Sequence, residues 1–151
     1  MYTREEASRI RQRFWTSFGQ YMRPVRGAAG DTVNWLNYKT GVKHLFFRMD
    51  VDRQQALIAI EWQQRDLSQQ QEMYDRFMQM KSILEEETGE EWRWQLQVQD
   101  EDGKIVSRVI QTLPGVNIFN EADWPSIISF LKPKMLALDR FWMQARDFFE
   151  T

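Results

Sequence analysis

Glu61 is the side chain with the clearest potential for chemistry. It ends the segment ALIAIEW and alternates in phase with apolar residues, which places its carboxylate on an otherwise apolar strand face. A buried carboxylate needs a partner, because an unpaired charge costs several kcal/mol in an apolar environment. A hairpin turn centred on Asp52 predicts Lys43 opposite Glu61. The pattern therefore predicts either a cross-strand salt bridge or a carboxylate that handles protons or binds a metal beside a lysine.

Few other residues are suited to catalysis. Lys39 is a second lysine that could approach Glu61, and His44 is the only histidine of the chain. A lone strand histidine is typically packed or hydrogen-bonded, and a role as a base would need a neighbouring carboxylate. The chain has no cysteine, which excludes disulfides, thiolate metal sites and cysteine nucleophiles. Glycine-rich phosphate loops and the common hydrolase and zinc motifs are also missing, so we expect no metal ligand set and no cofactor.

Two groups of residues predict a partner surface. Basic residues concentrate in the first 26 positions, whereas acidic residues lie mainly at 85–91 and 100–102. Arg9 and Arg13 on the first helix could meet phosphates or an acidic partner, and Trp92 and Trp94 could form an aromatic surface. The formal net charge of −2 excludes a nucleic-acid binder driven by bulk positive charge. The aromatic hairpin and the long last helix carry more apolar surface than a small monomer easily hides, which predicts a homodimer.

The periodicity of apolar residues predicts a single α+β domain over residues 1–151. Helices are expected at about 4–22, 68–88 and 120–149, the first of them opened by a capping box at Thr3 and Glu6. Strands are expected at 32–39, 42–49, 55–62, 92–99 and 104–113. The order is α-β-β-β-α-β-β-α, with helices packed on a mainly antiparallel sheet.

This order resembles the core of the PD-(D/E)XK nucleases in topology. That resemblance implies acidic residues on the second and third strands that hold Mg²⁺ and a lysine that follows the second acid. In this sequence Gln63 occupies the lysine position after Glu61. Asp50 and Asp52 lie at the hairpin turn, about 20–25 Å from Glu61 in the predicted register. The nuclease motif is therefore degraded.

The chain as a whole resembles a bacterial family of domains of unknown function, number 4268. The resemblance rests on the segments VNWLNYKTGVKHLFFRMD, ALIAIEW, EEWRWQLQVQDEDGK and DWPSIISFLKPKMLALDRFW. It implies no assigned activity, cofactor or catalytic residue. Some members of the family look like domains attached to nuclease-like regions, which implies DNA-related or defence biology.

These observations favour a non-catalytic or vestigial nuclease-like module that binds protein or nucleic acid. One alternative is a metal-dependent nuclease, in which Glu61, a lysine and a second acid converge on Mg²⁺. Another is a small-molecule-binding domain with a tryptophan-lined pocket. The charged N-terminus lacks a signal-peptide pattern and no apolar run approaches the ~20 residues of a membrane span, so we expect a cytoplasmic protein without a membrane partner.

Overall fold

The computed structural model describes residues 2–149, so the ends of the domain predicted over 1–151 lie outside the described residues. The elements in chain order are α1 (Arg4–Met22), β1 (Leu45–Val51), β2 (Gln55–Trp62), α2 (Leu67–Gln79), α3 (Lys81–Thr88), β3 (Arg93–Gln99), β4 (Ile105–Pro114) and α4 (Trp124–Phe149). Short 3₁₀ helices occur at Trp35–Asn37 and Glu121–Asp123. The chain has an α+β fold, as the sequence predicts.

The four strands form an antiparallel sheet in the order β1-β2-β4-β3. One face carries Ile58, Ile60 and Trp62, which are fully buried in the hydrophobic core. Trp62 stacks on Phe77 of α2 with ring centroids 4.8 Å apart, and Phe77 stacks on Phe149 of α4 at 4.3 Å. We call the opposite face, which carries Glu61 and its cross-strand neighbours, the outer face.

Helix α1 begins and ends where the sequence predicts. The Thr3 hydroxyl accepts a hydrogen bond from the Glu6 N–H at 3.1 Å, and the Glu6 carboxylate accepts one from the Thr3 N–H at 3.3 Å. This capping box satisfies two backbone donors that the first turn leaves free. Phe14 and Phe18 of the apolar stripe are fully buried, so burial of this face stabilises the helix.

The predicted strand at 32–39 is wrong. The segment contains one isolated bridge, between Arg26 and Thr32, followed by the 3₁₀ helix Trp35–Asn37. The Asn34 side chain accepts a hydrogen bond from the Asn37 N–H at 3.2 Å, which is the local side-chain bonding that diverts asparagine from strands into turns. Only two strands therefore precede α2, and the element order behind the nuclease likeness is not observed.

The second predicted helix differs at its start and in its middle. Asp66, not Ser68, is the capping residue, and its carboxylate accepts from the N–H groups of Ser68 and Gln69 at 2.8 and 3.3 Å. Met80, with ψ near 5°, separates α2 from α3. The predicted end at 88 is confirmed, because Gly89, which follows Thr88, adopts φ 72° in the left-handed region and caps the helix.

The alternation predicted for β3 is interrupted by a bulge. Gln97 has φ 51°, and the pairing with β4 shifts between Gln95 and Val98. Leu96 is consequently 37% exposed instead of contributing to a buried face. The last helix begins at Trp124, four residues later than predicted, because Asn120 caps the preceding 3₁₀ helix through the Ala122 N–H at 3.2 Å.

Candidate functional site

Glu61 lies on the outer face near the end of β2, between β1 and β4. Its cross-strand partners are Phe46 and Arg108, not Lys43. The predicted register was wrong by three residues because the turn lies later than expected: the Asp52 carboxylate accepts from the Gln54 and Gln55 N–H groups at 2.7 and 2.9 Å. Lys43 consequently precedes β1 and forms no ion pair with Glu61 among the described residues.

The expectation that this carboxylate needs basic partners is nevertheless met. Glu61 is 1% exposed, and its Oε2 accepts a 2.6 Å hydrogen bond from the Gln63 amide. Its Oε1 lies 3.4 Å from an Arg48 nitrogen and 3.9 Å from an Arg108 nitrogen. The Lys104 Nζ donates to the side-chain oxygen of Gln63 at 2.6 Å. Lys104 is therefore linked to Glu61 through the Gln63 side-chain amide.

Arg48 holds the other carboxylates near Glu61. Its guanidinium contacts Glu101 at 2.6 Å and Asp50 at 3.4 Å, in addition to Glu61. Burial raises the pKa of Asp50, and the Val51 N–H and the Arg48 charge only partly oppose this. The pKa of Glu101 is lowered by a backbone N–H and by its hydrogen bond from Arg48. The Arg48 guanidinium thus lies among the carboxylates, in the position that a metal ion would need to take in a nuclease.

A cleft of about 440 Å³ opens on the outer face beside this network. Arg11, Arg93 and Arg108 line it, together with Thr112 and Gln55 and the acidic residues Asp50, Asp52 and Glu101; Leu57 and Ile110 supply apolar surface. The strand residues among them share one face because side chains in a strand point alternately to opposite sides. Arg11 reaches the cleft from α1, and Asp52 and Glu101 reach it from the turns that follow β1 and β3. The cleft can bind a ligand through fixed charges and hydrogen-bond donors.

Sequence reasoning missed the arginines of this cleft. The signal was present, because Arg108 alternates in phase with Ile110 and Thr112 on a predicted strand. Arg48 likewise alternates with Asp50. Arg48 and Arg108 contact Glu61 because of the register between β1, β2 and β4, and the positions of the turns set that register.

The other predicted catalytic residues do not converge on Glu61. His44 is exposed and lies before β1 with φ 67°, so it is not a strand residue as predicted. Lys39 lines a different cleft, of about 520 Å³, beside Asp139. Within residues 2–149 no three His, Asp or Glu side chains are grouped so that they could hold a metal ion.

The cleft that contains Lys39 lies between the 24–40 segment and α4. The Tyr38 hydroxyl donates to one Asp139 oxygen at 2.5 Å, and the Ala28 N–H donates to the other at 2.7 Å. Burial, followed by the hydrogen bond and charge of Asp139, raises the pKa of Tyr38 above its ordinary value. Among residues 2–149, no tryptophan lines this cleft or the one on the outer face. Trp35 lines a smaller cavity of about 260 Å³ beside α1, so the tryptophan-lined pocket of the third hypothesis stays a prediction.

The predicted partner surface is only partly exposed. Trp92 is 5% exposed and donates from its indole nitrogen to the Thr88 hydroxyl at 3.0 Å, so its prediction as a surface residue is wrong. Trp94 is half-buried and packs edge-on against Tyr74, with ring centroids 5.8 Å apart. Arg9 and Arg13 are exposed on α1, where Arg13 pairs with Glu121.

The apolar surfaces behind the homodimer prediction are largely internal. Trp92 packs inside the chain, and the stripe of α4 is buried against the sheet and the other helices; its members include Ile127, Leu131, Met135, Leu138, Phe141, Trp142 and Ala145. The prediction of a homodimer therefore no longer rests on these residues.

Comparison with known proteins places the chain in a family. No curated protein and no solved structure matches it. None of the helices within residues 2–149 combines the length and apolar character needed to cross a membrane. A family model described as "Domain of unknown function (DUF4268)" matches residues 10–146, which is nearly the whole chain. The chain therefore belongs to the DUF4268 family.

Proposed function

We propose that this chain is a non-catalytic domain that binds another protein through the cleft on the outer face. The observation that carries the proposal is the position of Arg48 among Glu61, Asp50 and Glu101. The carboxylates are occupied by a guanidinium, whereas a metal-dependent hydrolase must leave them free to bind a cation and activate water. What the cleft offers instead is a fixed set of charged and hydrogen-bonding groups over an apolar floor, which suits recognition.

A protein partner is favoured over a nucleic acid by the composition of the outer face. Single-stranded nucleic acids are bound by aromatic platforms in a positively charged groove. Here Phe46 is an exposed aromatic residue at the β1 edge, 45% exposed, and carboxylates alternate with the arginines around the cleft. A phosphate backbone would meet Asp52 and Glu101 as well as the guanidinium groups. A mixed-charge face of this kind matches the polar rim and apolar core of protein interfaces.

A peptide-display selection against the wild-type chain tests this proposal. We expect enriched peptides whose binding is lost in Thr112→Arg, which fills the cleft, and kept in Thr16→Arg, a matched change on the exposed surface of α1. Peptides that bind both variants equally would place the binding surface elsewhere. Amide shifts in the cleft on titration with a short DNA duplex or single strand would assign the face to nucleic acid and overturn the protein partner.

The catalytic alternative is tested separately by calorimetric titration with Mg²⁺ and Mn²⁺. We expect no saturable binding to the wild type, because Arg48 occupies the space between the carboxylates. Saturable binding that Glu61→Gln abolishes would contradict the non-catalytic assignment and would call for DNA cleavage assays. The homodimer and the cytoplasmic location stay predictions, and sedimentation velocity at micromolar concentration measures the first of them.

A further inference from the structure

The arginines of the outer-face cleft differ in how fully their donors are used. Arg11 donates one hydrogen bond, to the Val51 carbonyl at 2.9 Å, and its guanidinium lies 5.3 Å from the centre of the Phe119 ring. Arg93 makes a single long contact of 3.5 Å to the Thr112 hydroxyl. Neither forms a salt bridge within 4.0 Å of a carboxylate among residues 2–149, and the charge of Arg11 acts on Asp50 only at longer range. A guanidinium has five N–H donors, so both arginines retain most of theirs.

Arg108 adds a third guanidinium in a constrained position. Its Nε donates to the Gln95 side chain at 2.7 Å, and it shares the buried Glu61 with Arg48 at a separation of 3.9 Å. Cross-strand pairing sets Arg93 opposite Ile110, two residues along β4 from Arg108. The two guanidinium groups therefore lie on the same face of adjacent strands and line the same cleft.

The acidic residues of the cleft, in contrast, each already accept hydrogen bonds. Arg48 holds Asp50 and Glu101, and the Asp52 carboxylate accepts two N–H groups of its own turn. The unused hydrogen-bonding capacity of the cleft thus consists mainly of cationic donors. A ligand that uses these arginine donors must carry hydrogen-bond acceptors and a negative charge.

Resting on the proposed function, we propose that the cleft recognises a carboxylate, held by Arg11, Arg93 and Arg108 above the apolar floor of Leu57 and Ile110. The planar fork of arginine matches a carboxylate with two parallel hydrogen bonds. A phosphate monoester fits less well because the three acidic residues of the cleft repel its charge of about −1.5 to −2 at neutral pH more strongly than the single charge of a carboxylate. The cleft volume of about 440 Å³ is enough for an acidic side chain of a partner protein or for a small free acid.

Amide shift mapping of the ¹⁵N-labelled full chain at constant ionic strength tests the inference. The probes are N-acetyl-Gly-Glu-Gly-amide, its Gln counterpart, glutarate and inorganic phosphate. We expect the Glu peptide to shift amides at 93–95 and 110–112 saturably, and the Gln peptide to leave them unchanged. Arg93→Gln should weaken binding about tenfold, the ratio that corresponds to about 1.4 kcal/mol. The matched control is Arg65→Gln, an exposed arginine between β2 and α2 that does not line the cleft, and it should leave the affinity unchanged.

The outcomes separate the two proposals. Phosphate bound as tightly as the Glu peptide, or a Gln peptide bound as tightly as the Glu peptide, would overturn carboxylate recognition and leave the cleft as a binding surface. Glutarate bound more tightly than the Glu peptide would keep the carboxylate site and contradict a protein partner. Cleft amides that respond to no probe, with peptides from the display selection binding elsewhere, would overturn both.

Discussion

Replacing Glu61 with glutamine should destabilise the fold without affecting any metal-dependent property. The substitution keeps the size of the side chain and removes its charge at a position that is 1% exposed. The new amide nitrogen cannot accept a hydrogen bond, so the contacts of one carboxylate oxygen are lost whichever way the amide is oriented. Arg48 and Arg108 then lose the charge that lies between them.

The magnitude follows from the contact distances. The 2.6 Å bond from Gln63 is short, the Arg48 contact at 3.4 Å is long, and the Arg108 separation of 3.9 Å is an electrostatic interaction only. Hydrogen bonds to charged groups contribute about 1.5–3 kcal/mol each, and breaking a buried pair costs about 3–5 kcal/mol. Because Arg48 keeps two other carboxylates, we expect a cost at or below the lower limit for a broken buried pair, about 2–3 kcal/mol.

Urea unfolding followed by tryptophan fluorescence measures this free energy, and thermal unfolding should show a fall in Tm of about 4–12 °C for a domain of this size. Glu101→Gln is the control: it removes a more exposed carboxylate from the same arginine and should cost less than about 1 kcal/mol. Addition of Mg²⁺ should leave the Tm of the wild type and both variants unchanged.

Two results would refute this reasoning. A Glu61→Gln variant within about 0.5 kcal/mol of the wild type would mean that the network contributes nothing beyond a surface substitution. A rise in wild-type stability with Mg²⁺ would reveal a bound cation, since a ligand at 100 times its Kd adds about 2.7 kcal/mol. If Glu61→Gln abolished that rise, the carboxylate would be a metal ligand.

Three further changes should have measurable effects. Gln70→Leu should lower the free energy of unfolding, measured in urea, by about 2–4 kcal/mol, because the fully buried amide donates to two backbone carbonyls and accepts from Ser107. The control Gln71→Leu, on the same helix and less buried, should lower it much less. His44→Gly should raise the free energy of unfolding by about 0.5–1 kcal/mol, because φ 67° strains a side-chain-bearing residue; a loss of stability would show that the imidazole makes a needed contact. The pKa of Tyr38 is higher in the folded state than the ordinary tyrosine value of about 10. The neutral hydroxyl therefore stabilises the folded state up to about pH 10, and this stabilisation is lost as the pH rises further. Tyr38→Phe should therefore be less stable at neutral pH, through loss of the bond to Asp139, and should lose less stability between pH 10 and 11; an unchanged alkaline slope would contradict this assignment.

Local signals predicted the elements that depend on neighbours in the chain. Helix α1 was predicted with its observed bounds because its capping box, its apolar spacing and Pro24 all lie within one segment. The end of the second predicted helix at 88 was predicted for the same reason, because the left-handed Gly89 follows it directly. The prediction of a strand at 32–39 was wrong because the alternation of apolar residues carries no information about the hydrogen bond that the Asn34 side chain accepts from the Asn37 N–H.

The contacts of Glu61 in the candidate site could not be predicted from any single segment of the sequence. Glu61 was singled out correctly as a carboxylate that needs a basic partner, and the partner was wrong because a turn displaced by a few residues changes every cross-strand pair. Arg108 reaches Glu61 from a strand 47 positions away. A long-range neighbour of this kind follows from sheet order, which sequence spacing does not encode.

The sequence by itself determined the fold class, the family, both ends of α1, the end of α3 at Thr88, and the presence of a charge that must be neutralised. The tertiary structure alone decided which charge neutralises it. Pairing β2 with both β1 and β4 brings Arg48 and Arg108 to one carboxylate and leaves Arg11 and Arg93 without a direct salt bridge among the described residues. The physical reason is that the free energy of a buried charge depends on atoms within a few ångströms, and those atoms come from strands that only the folded sheet brings together.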